Sequence, residues 1–416
     1  MSTSIYIDNY RGFSKAWIPL ESVNFLVGEN STGKTSFLEL LSMFCTPMFW
    51  MFNPEFGIPG SHQRHFHDLV SASSKQKRHF TIGALSHESN ETINGMLVTY
   101  RNFDGRPIPD RVSVIYDETI KTVVISSNHR TRQKSLKSNI NCSSINYLSE
   151  LHHSNYGFTN HEEKGRSARP ILYEFGNFLF GENGIRRENH IPKIFQSKFV
   201  EMAPIRSKPR RTYDAPQTAF SPEGDHTPYI IRKTLSSKSK AESFEKFIGE
   251  VGRDSRLFDS INVRSYGRDS LSPFEIKILL GKTALGLDNV GYGVSQALPV
   301  IVEMFTRSKR SLFTIQQPEV HLHPRAQASI GDLIADFSRV DQKHFVIETH
   351  SDFTIDRFRL NIRKKGYIPS QILLFERFET GNKVTPISIL EDGSLPTEQP
   401  ESYREFFFNE SLSLLG

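Results

Sequence analysis

Apolar residues recur along this chain in patterns that predict both strands and helices. Near the N-terminus, short apolar runs at residues 4–8 and 22–27 predict two strands. Four more β-type runs are separated by Asn, Gly, Pro and Asp at hairpin spacing, at residues 80–85, 95–100, 112–116 and 123–126. We expect these four runs to form an antiparallel sheet.

The second half of the chain alternates between strand and helix patterns. Strands are predicted at residues 199–203, 274–280, 284–288, 311–315, 344–348, 370–376 and 383–389, and helical spacing occurs over 242–258 and 325–337. Because a crossover helix joins the runs at 311–315 and 344–348, we expect them to pair in parallel with both strand ends at one sheet edge. Ligands bind at such edges in open α/β sheets. The sequence therefore predicts an α/β fold.

The composition divides the chain into four parts. Residues 1–126 and 199–390 carry the predicted strands and helices, residues 127–198 are polar and irregular, and residues 391–416 form a tail. We interpret 127–198 as an inserted helical or irregular region. Its basic and aromatic residues could bind single-stranded nucleic acid, and a solvated face over a small core would give the same pattern.

Charge and cysteine content narrow the class of protein. The net charge of +5 and the pI near 9.0 leave nucleic acid open as a partner without deciding for it. Cys45 and Cys142 are the two cysteines, too few for a disulfide framework or a zinc cluster. The sequence shows neither a signal peptide nor a run of about 18 apolar residues. We expect a soluble cytoplasmic protein with no membrane partner.

The segment Gly28-Glu29-Asn30-Ser31-Thr32-Gly33-Lys34-Thr35 lies between a predicted strand and an apolar helix. This order is typical of a loop that wraps a triphosphate, because glycines let successive backbone N–H groups converge on phosphate oxygens. Lys34 would reach the β- and γ-phosphates, and the Thr35 hydroxyl would bind magnesium. The residues expected to contact ATP are Asn30, Ser31, Thr32, Gly33, Lys34, Thr35 and Ser36. A glycine-rich turn with a chance Gly-Lys-Thr is the alternative.

A second phosphate-sized site is indicated by Gly291-Tyr292-Gly293-Val294-Ser295-Gln296, which precedes an apolar helix. A serine at a helix start behind a glycine turn presents its hydroxyl and backbone N–H groups to an anion. In isolation, an ordinary capped helix explains the same pattern.

Two other polar clusters have more than one interpretation. The loop after the strand at 199–203 is rich in cations: Arg206, Lys208, Arg210 and Arg211. These could contact the phosphate of a nucleotide or of DNA, or form a surface charge run. The second cluster consists of histidines: His62, His65, His67 and His79. Their irregular spacing and the lack of nearby cysteine favour a polar loop or partner surface over a metal site.

Polar motifs also end the two buried strands of the second half. Gln316-Gln317-Pro318-Glu319-Val320-His321-Leu322-His323-Pro324 follows the first strand, and Glu348-Thr349-His350 ends the second. With the two earlier motifs, they occur in the order of the ATP-binding-cassette class of ATPases. The chain resembles the OLD, RecF and structural-maintenance-of-chromosomes branch of that class. Within this branch it is similar to the ATPases of anti-phage systems such as Septu, including the version attached to retrons.

This resemblance implies a mixed sheet like that of ABC ATPases, with flanking helices, and a homodimer or higher oligomer that binds ATP and Mg²⁺. Gly293, Ser295 and Gln296 would contact the γ-phosphate of ATP held by the opposite copy. His350 would sense the γ-phosphate. Residues 321–324 would cross the dimer interface, although their two histidines could instead form a metal pair.

The chain departs from the family pattern at the end of the first buried strand. Relatives place an acid near magnesium and then a glutamate that activates water, whereas this chain has Gln316 and Gln317. An amide can position water but cannot take a proton. We therefore expect Gln316 near the metal, Gln317 and His350 at the water, and slow hydrolysis unless Glu319 or Glu348 supplies the carboxylate.

Three functions are compatible with these motifs. The first is the ATPase subunit of a defence complex that controls a separate HNH-type nuclease, together with a reverse transcriptase and its DNA or RNA. We expect a separate nuclease because the residues after 390 leave no room for a nuclease domain. The second is a DNA-repair or recombination ATPase that acts directly on DNA. The third is the nucleotide-binding half of a membrane transporter, which the His-Leu-His-Pro loop and the insertion disfavour. The sequence shows no sustained heptads, and this argues against a chromosome-organising ATPase with long coiled-coil arms.

Overall fold

The computed structural model describes residues 2–51, 54, 56, 64–72, 74, 77–87, 93–116, 119–125, 131–137, 145–155, 157–161, 179, 191–214, 219–269 and 271–403. The chain divides into two compact units. The first comprises Met1–Glu21, Gly28–Ser197 and Leu374–Pro386, and the second comprises Ser22–Val27, Lys198–Leu373 and Ile387–Gly416.

In chain order, the described strands are β1 (Ser2–Asp8), β2 (Ala16–Leu20), β3 (Val23–Gly28), β4 (His79–His87), β5 (Ile93–Phe103), β6 (Arg106–Tyr116), β7 (Thr119–Ile125), β8 (Thr131–Lys137), β9 (Thr159–His161), β10 (Phe199–Met202), β11 (Ser260–Ser265), β12 (Phe274–Leu280), β13 (Thr283–Gly286), β14 (Leu312–Gln316), β15 (His344–Glu348), β16 (Ser370–Phe378) and β17 (Gly381–Ser388). The α-helices are α1 (Lys34–Phe44), α2 (Pro47–Trp50), α3 (Phe66–Leu69), α4 (Ile145–His153), α5 (Thr227–Leu235), α6 (Ala241–Ser255), α7 (Tyr292–Thr306), α8 (Pro324–Asp341) and α9 (Asp352–Lys365).

The first unit is built on an eight-stranded sheet in the order β2-β1-β4-β5-β6-β7-β8-β9, in which neighbouring strands are antiparallel. Between β5 and β6, Asp104 and Gly105 both have positive φ, 50° and 78°, as a two-residue hairpin turn requires. Helix α4 covers part of the sheet, where an apolar cluster is buried: Tyr6, Leu85, Ile93, Leu97, Ile115, Ile120 and Leu148. Removing this apolar area from water stabilises the contact between helix and sheet.

Helix α4 also places a polar side chain within this contact. His152 is fully buried, and its two ring nitrogens lie 2.6 Å from the Ser113 hydroxyl and 2.8 Å from the Thr99 hydroxyl. Burial lowers the pKa of His152 well below its ordinary value of 6.5. Arg111 and Lys134 donate to carbonyl groups at the end of the helix. The C-terminus of α4 is therefore satisfied by cations from the sheet.

The second unit contains a parallel arrangement of strands. Strand β14 lies between β10 and β15, β15 pairs with β3, and all three pairings are parallel. Gln316 pairs with Glu348, which also pairs with Leu26 on the other side. The register therefore brings three strand ends to the same level. Helix α8 connects β14 to β15, and it packs against α9.

The complete sheet order is β10-β14-β15-β3-β16-β17. Strand β17 follows β16 after two residues, a connection made by antiparallel neighbours. The sheet is therefore mixed. A second sheet of this half, β11-β12-β13, is antiparallel.

The predicted α/β class, with a mixed sheet, flanking helices and an antiparallel β subdomain, is confirmed. The expected runs between 80 and 126 correspond to β4–β7, and β14, α8 and β15 form the expected crossover. The segment 127–198, expected to be helical or irregular, also contributes β8 and β9 to the antiparallel sheet. Strand β8 reads Thr-Arg-Gln-Lys-Ser-Leu-Lys, so it lacks the alternating apolar pattern by which strands are recognised. The sequence also gave no prediction for β2, β11 or α5.

Several sequence features lie outside the described residues: Cys142, His62, His129 and Arg130 of the basic run, the aromatic residues at 173–178 and residues 404–416. In the part of the chain that is described, no helix is long and apolar enough to cross a membrane.

Candidate nucleotide-binding site

The phosphate loop of the first unit has the backbone that its glycines predict. Gly33 precedes α1 with φ 101°, a left-handed conformation that other residues rarely adopt. Gly28 lies so close to the neighbouring backbone that a Cβ atom there would be 2.1 Å from the Phe375 carbonyl oxygen. Ser31, between them, also has a positive φ of 64°. The loop is therefore sharply turned between β3 and α1.

Lys34 is the buried centre of this loop. Its Nζ donates to the carbonyl oxygens of Gly28 at 2.7 Å and Glu29 at 2.6 Å. The Thr32 hydroxyl donates to the Glu29 carbonyl at 2.8 Å. The predicted contact residues Asn30, Ser31 and Thr35 are exposed around it, and Ser36 is half-buried. A cation sits beneath a rim of small polar side chains.

Helix α1 adds positive potential to the same loop. Its first turn contains Lys34, Thr35 and Ser36 and no acidic residue, and no described side chain caps its N-terminus. Backbone N–H groups at such a terminus favour an anion. The donor set fits a triphosphate, and the exposed Thr35 hydroxyl fits one position in the shell of a magnesium ion.

Arg11 is a residue near this loop that the sequence did not single out. Its guanidinium donates to the Ser36 hydroxyl at 3.4 Å and pairs with Glu39, which also accepts from Arg64 at 2.7 Å. Burial raises the pKa of Glu39, and the charge of Arg11 opposes that rise. Arg11 lies in a turn between β1 and β2, where the sequence offered only a break between strands.

The second unit holds the strand-end residues that were predicted to be catalytic. Gln317 follows β14 with a left-handed φ of 44°, and its N–H donates to the Glu348 carbonyl at 2.8 Å. Gln316 is paired with Glu348 across the parallel register. Both glutamines are half-buried.

Glu319 and His350 contact each other. The His350 N–H donates to Glu319 Oε1 at 2.7 Å, and the His350 side chain is exposed. Burial raises the pKa of Glu319 above its ordinary value of 4.5, while the His350 N–H and the charge of Arg206 act in the opposite direction. A carboxylate therefore lies beside the backbone of His350, and its affinity for protons is higher than that of a free glutamate.

The second predicted phosphate-sized site, Gly291 to Gln296, which we call the signature motif, forms the start of α7. The helix begins at Tyr292, so Gly293 lies in its first turn and Ser295 one turn inside. Ser295 is only 5% exposed, and its hydroxyl donates to the Tyr292 carbonyl at 2.9 Å. The exposed Tyr292 ring lies 5.8 Å from that of His321. The signature thus adjoins the loop after β14.

Arg206 differs from the other cations of its loop. Lys208, Arg210 and Arg211 are exposed, whereas Arg206 is 2% exposed. It contacts Gln296 and the carbonyl groups of Gln316 and Gln317. The charge run is therefore only partly a surface feature, and burial of Arg206 was not visible in the sequence.

The structure groups the predicted residues within each unit. Gln316, Gln317, Glu319 and His350 lie together in the second unit, and Gln296 reaches them through Arg206. In the described ranges, no group of three or more His, Cys, Asp or Glu side chains could hold a metal ion. His323 instead caps α8, where its ring accepts the Arg325 N–H at 3.4 Å.

The phosphate loop and the strand-end cluster define a P-loop nucleotide-binding protein. The chain matches the family model described as AAA ATPase domain over residues 1–164 and 63–355. It belongs to this family of ATPases. The match includes every predicted site residue from Asn30 to His350, and the predicted ATPase class is confirmed.

Other known proteins are similar over parts or most of the chain. The OLD nuclease of Thermus scotoductus (strain ATCC 700910 / SA-01) is 29% identical over 125 residues, which cover 29% of this chain and 23% of that protein. The match thus spans less than a quarter of the relative's length. An Smc head bound to the C-terminal winged-helix domain of ScpA has a TM-score of 0.42 at 12% identity, covering 93% of this chain and 98% of that one. The SMC head domain from Thermotoga maritima has a TM-score of 0.40 at 12% identity, covering 92% and 97%.

Proposed function

We propose that this chain is the ATP-binding and slowly hydrolysing subunit of an ATPase in which two copies enclose ATP. The observation that carries the proposal is the strand-end cluster. It presents two neutral amides, Gln316 and Gln317, where acids are expected, and a half-buried carboxylate, Glu319, beside the backbone of His350. Glu319 can accept a proton in this arrangement, but position 316 has no acid to support magnesium.

Binding of ATP is assigned to the phosphate loop. Lys34 would exchange its bonds to the Gly28 and Glu29 carbonyls for phosphate oxygens, and the N–H groups at the start of α1 would contact the same phosphates. Thr35 would hold magnesium, with Gln316 as a neutral outer ligand. Magnesium, when bound, neutralises charge that develops on the phosphates. With no carboxylate at Gln316, we expect weaker support for this charge than in relatives.

Hydrolysis requires a residue that orients water and one that takes its proton. Gln317 can accept and donate hydrogen bonds and so can orient water, but it cannot act as a base. Glu319 is the described carboxylate that contacts His350, and burial favours its role as acceptor. We assign water orientation to Gln317, proton transfer to Glu319 and γ-phosphate sensing to His350.

A second copy of this chain is the partner that completes the reaction. Gly293, Ser295 and Gln296 would approach the γ-phosphate bound by the other copy, with Tyr292 and the loop at 321–324 at the interface. Tyr292 and His321 are exposed side chains next to the signature, which supports their use in an interface.

We further propose that the ATP-bound pair controls a separate HNH-type nuclease in an anti-phage complex, with a retron reverse transcriptase and its DNA as additional partners. The motif order and the match to part of an OLD nuclease support a link to nucleic-acid cleavage. ATP occupancy would act as a clamp, and its loss would release or activate the nuclease.

Phosphate release by the purified chain, together with its mass with and without ATP, tests the core of this proposal. Wild-type protein should turn over more slowly than about one ATP per second, because Gln316 offers magnesium no negative charge and the charge that develops on the phosphates is therefore less well supported. ATP should double its mass. Lys34→Ala should lose both properties, and Lys364→Ala, an exposed lysine on α9, should retain both. Turnover of many ATP per second, abolished by Lys34→Ala, would contradict the clamp.

Native purification tests the finer proposal. An HNH polypeptide should copurify with the chain, and DNA cleavage should require that polypeptide. If the purified chain alone binds DNA ends and DNA accelerates its ATP hydrolysis, the repair or recombination function is favoured instead.

A further inference from the structure

Arg206 joins two segments that carry predicted site residues. Its backbone N–H donates to Gln296 Oε1 at 3.1 Å, and its carbonyl accepts from Gln296 Nε2 at 3.3 Å. Its guanidinium donates to the Gln316 carbonyl at 2.8 Å and the Gln317 carbonyl at 3.2 Å. One residue therefore binds the signature helix α7 with its backbone and the end of β14 with its side chain.

The burial of this guanidinium is energetically unfavourable on its own. Removing a charge from water is costly unless it is paired and fully hydrogen-bonded. Arg206 donates to neutral carbonyls, its Nε has no hydrogen-bond partner among the described residues, and the charge of Glu319 offsets only part of the cost of burial. Burial lowers the pKa of Arg206 to about 10, so the group remains charged at neutral pH. A residue placed at such a cost is more readily explained by positioning than by stability.

The bonds of Arg206 fall on both sides of a strained residue. Gln317 has a left-handed backbone, with φ 44°, which is unfavourable for a residue other than glycine. The carbonyls of Gln316 and Gln317 flank that conformation, and the Gln317 N–H is held by Glu348. The guanidinium therefore fixes the orientation of two successive peptide groups. Glu319 follows two residues later, so its position depends on the same constraint.

We propose that Arg206 is a positioning residue that couples the Ser295-bearing end of α7 to the water-activating segment 316–319. The inference rests on the proposed function of that segment. Gln296 is adjacent to Ser295, so contact of the signature with an anion shifts the amide that is paired with the Arg206 backbone. The guanidinium carries this shift to the Gln316 and Gln317 carbonyls. Hydrolysis then becomes sensitive to engagement of the second copy.

Conservative variants test the relay. Lysine at position 206 keeps the charge but lacks the planar fork that reaches both carbonyls. Gln296→Met keeps the volume and removes the paired amide. We expect each variant to lower kcat at least about 10-fold while the affinity for ATP changes less than about 3-fold. Arg253→Lys, an exposed arginine on α6, should match wild type.

The double variant Arg206→Lys with Gln296→Met provides the decisive comparison. If Arg206 and Gln296 act through the same coupling, the double variant should have the kcat of whichever single variant is slower, because the effects of substitutions within one network are not additive. Multiplication of the two losses, or a wild-type kcat in Arg206→Lys, would overturn the inference. Parallel losses of thermal stability, ATP affinity and kcat would assign Arg206 a structural role instead.

A second measurement does not depend on hydrolysis. Hydrogen exchange of a peptide covering residues 312–322 should become faster in Gln296→Met, since the Gln317 N–H bond to Glu348 loses its support. Unchanged exchange there would refute the coupling even if wild-type protein fails to hydrolyse ATP. Lack of wild-type hydrolysis with the expected change in exchange would reject the proposed function and keep the coupling.

Discussion

Replacing Glu319 by glutamine isolates the proton-accepting step from the rest of the site. The amide oxygen of glutamine can still accept the His350 N–H that Glu319 Oε1 accepts at 2.7 Å. The side chain has nearly the same volume, so packing around it should persist. Only the negative charge and the ability to take a proton are lost.

The expected magnitude follows from the role assigned to the carboxylate. General-base assistance contributes about 10²–10⁴ to a rate, which corresponds to about 3–5 kcal/mol of activation free energy. We therefore expect Glu319→Gln to lower kcat at least about 100-fold below the already slow wild type. ATP binding should be unchanged, because the phosphate loop is not altered.

The pKa of Glu319 gives this variant a pH signature. Because burial raises that pKa above 4.5, wild-type kcat should rise with pH through an inflection above this value, and Glu319→Gln should lack the inflection. Stability changes in the opposite direction. The folded carboxyl holds its proton more tightly than the unfolded one, so folding is favoured at low pH and loses that contribution as pH rises through the raised pKa. The variant should be at least as stable as wild type at neutral pH.

Single-turnover phosphate release across pH, combined with thermal unfolding, measures both effects. Glu250→Gln, an exposed glutamate on α6, serves as the matched control. Wild-type kcat and an unchanged pH profile in Glu319→Gln, with Lys34→Ala inactive, would refute the assignment. A comparable loss in Glu348→Gln alone would transfer the role of base to Glu348.

Two further predictions concern the first unit. Gly33→Ala should weaken ATP binding at least about 10-fold and lower Tm, because residue 33 has φ 101° and a Cβ there would lie 2.6 Å from the Phe13 ring. Equilibrium binding measures the affinity for ATP, and calorimetry measures Tm. Wild-type values of both would contradict the described loop. His152→Leu should destabilise the protein by about 1–3 kcal/mol by leaving the Ser113 and Thr99 hydroxyls without the ring. Because the pKa of His152 is lowered in the folded state, the stability of the wild-type protein should fall as pH drops below 6.5. Denaturant unfolding should show a smaller fall in His152→Leu. An equal fall in both proteins would exclude His152 as the source of this pH dependence.

The sequence predicted the parts of the fold whose signals are local. Alternating apolar residues located β4–β7, and the glycine loop between an apolar strand and helix located the turn before α1. The parallel pairing of β14 and β15 followed from the helix between them. Strand β8 was missed because its residues are polar and its place depends on backbone pairing with β7.

The candidate site was predictable in its residue types and less so in its contacts. The chain order suggested Glu319 as a substitute carboxylate, but its bond to the His350 N–H depends on how the loops after β14 and β15 meet. Ser295 was expected at the helix start and lies one turn inside, because α7 begins at Tyr292. Arg206 was one of several neighbouring cations. Its burial is a property of tertiary packing, which a local charge pattern does not encode.

The close approach of Gly28 to the Phe375 backbone affects which residues should be retained in distant homologues that no longer bind ATP. A side chain at position 28 would collide with a neighbouring main chain whether or not a nucleotide is ever bound. A homologue that no longer hydrolyses ATP would therefore still need glycine at this position for steric reasons. Asn30 and Thr35 are exposed and free of such steric pressure, so they should drift first once ATP no longer matters. The residues at these two positions, more than Gly28, should therefore distinguish homologues that bind ATP from homologues that have lost this activity.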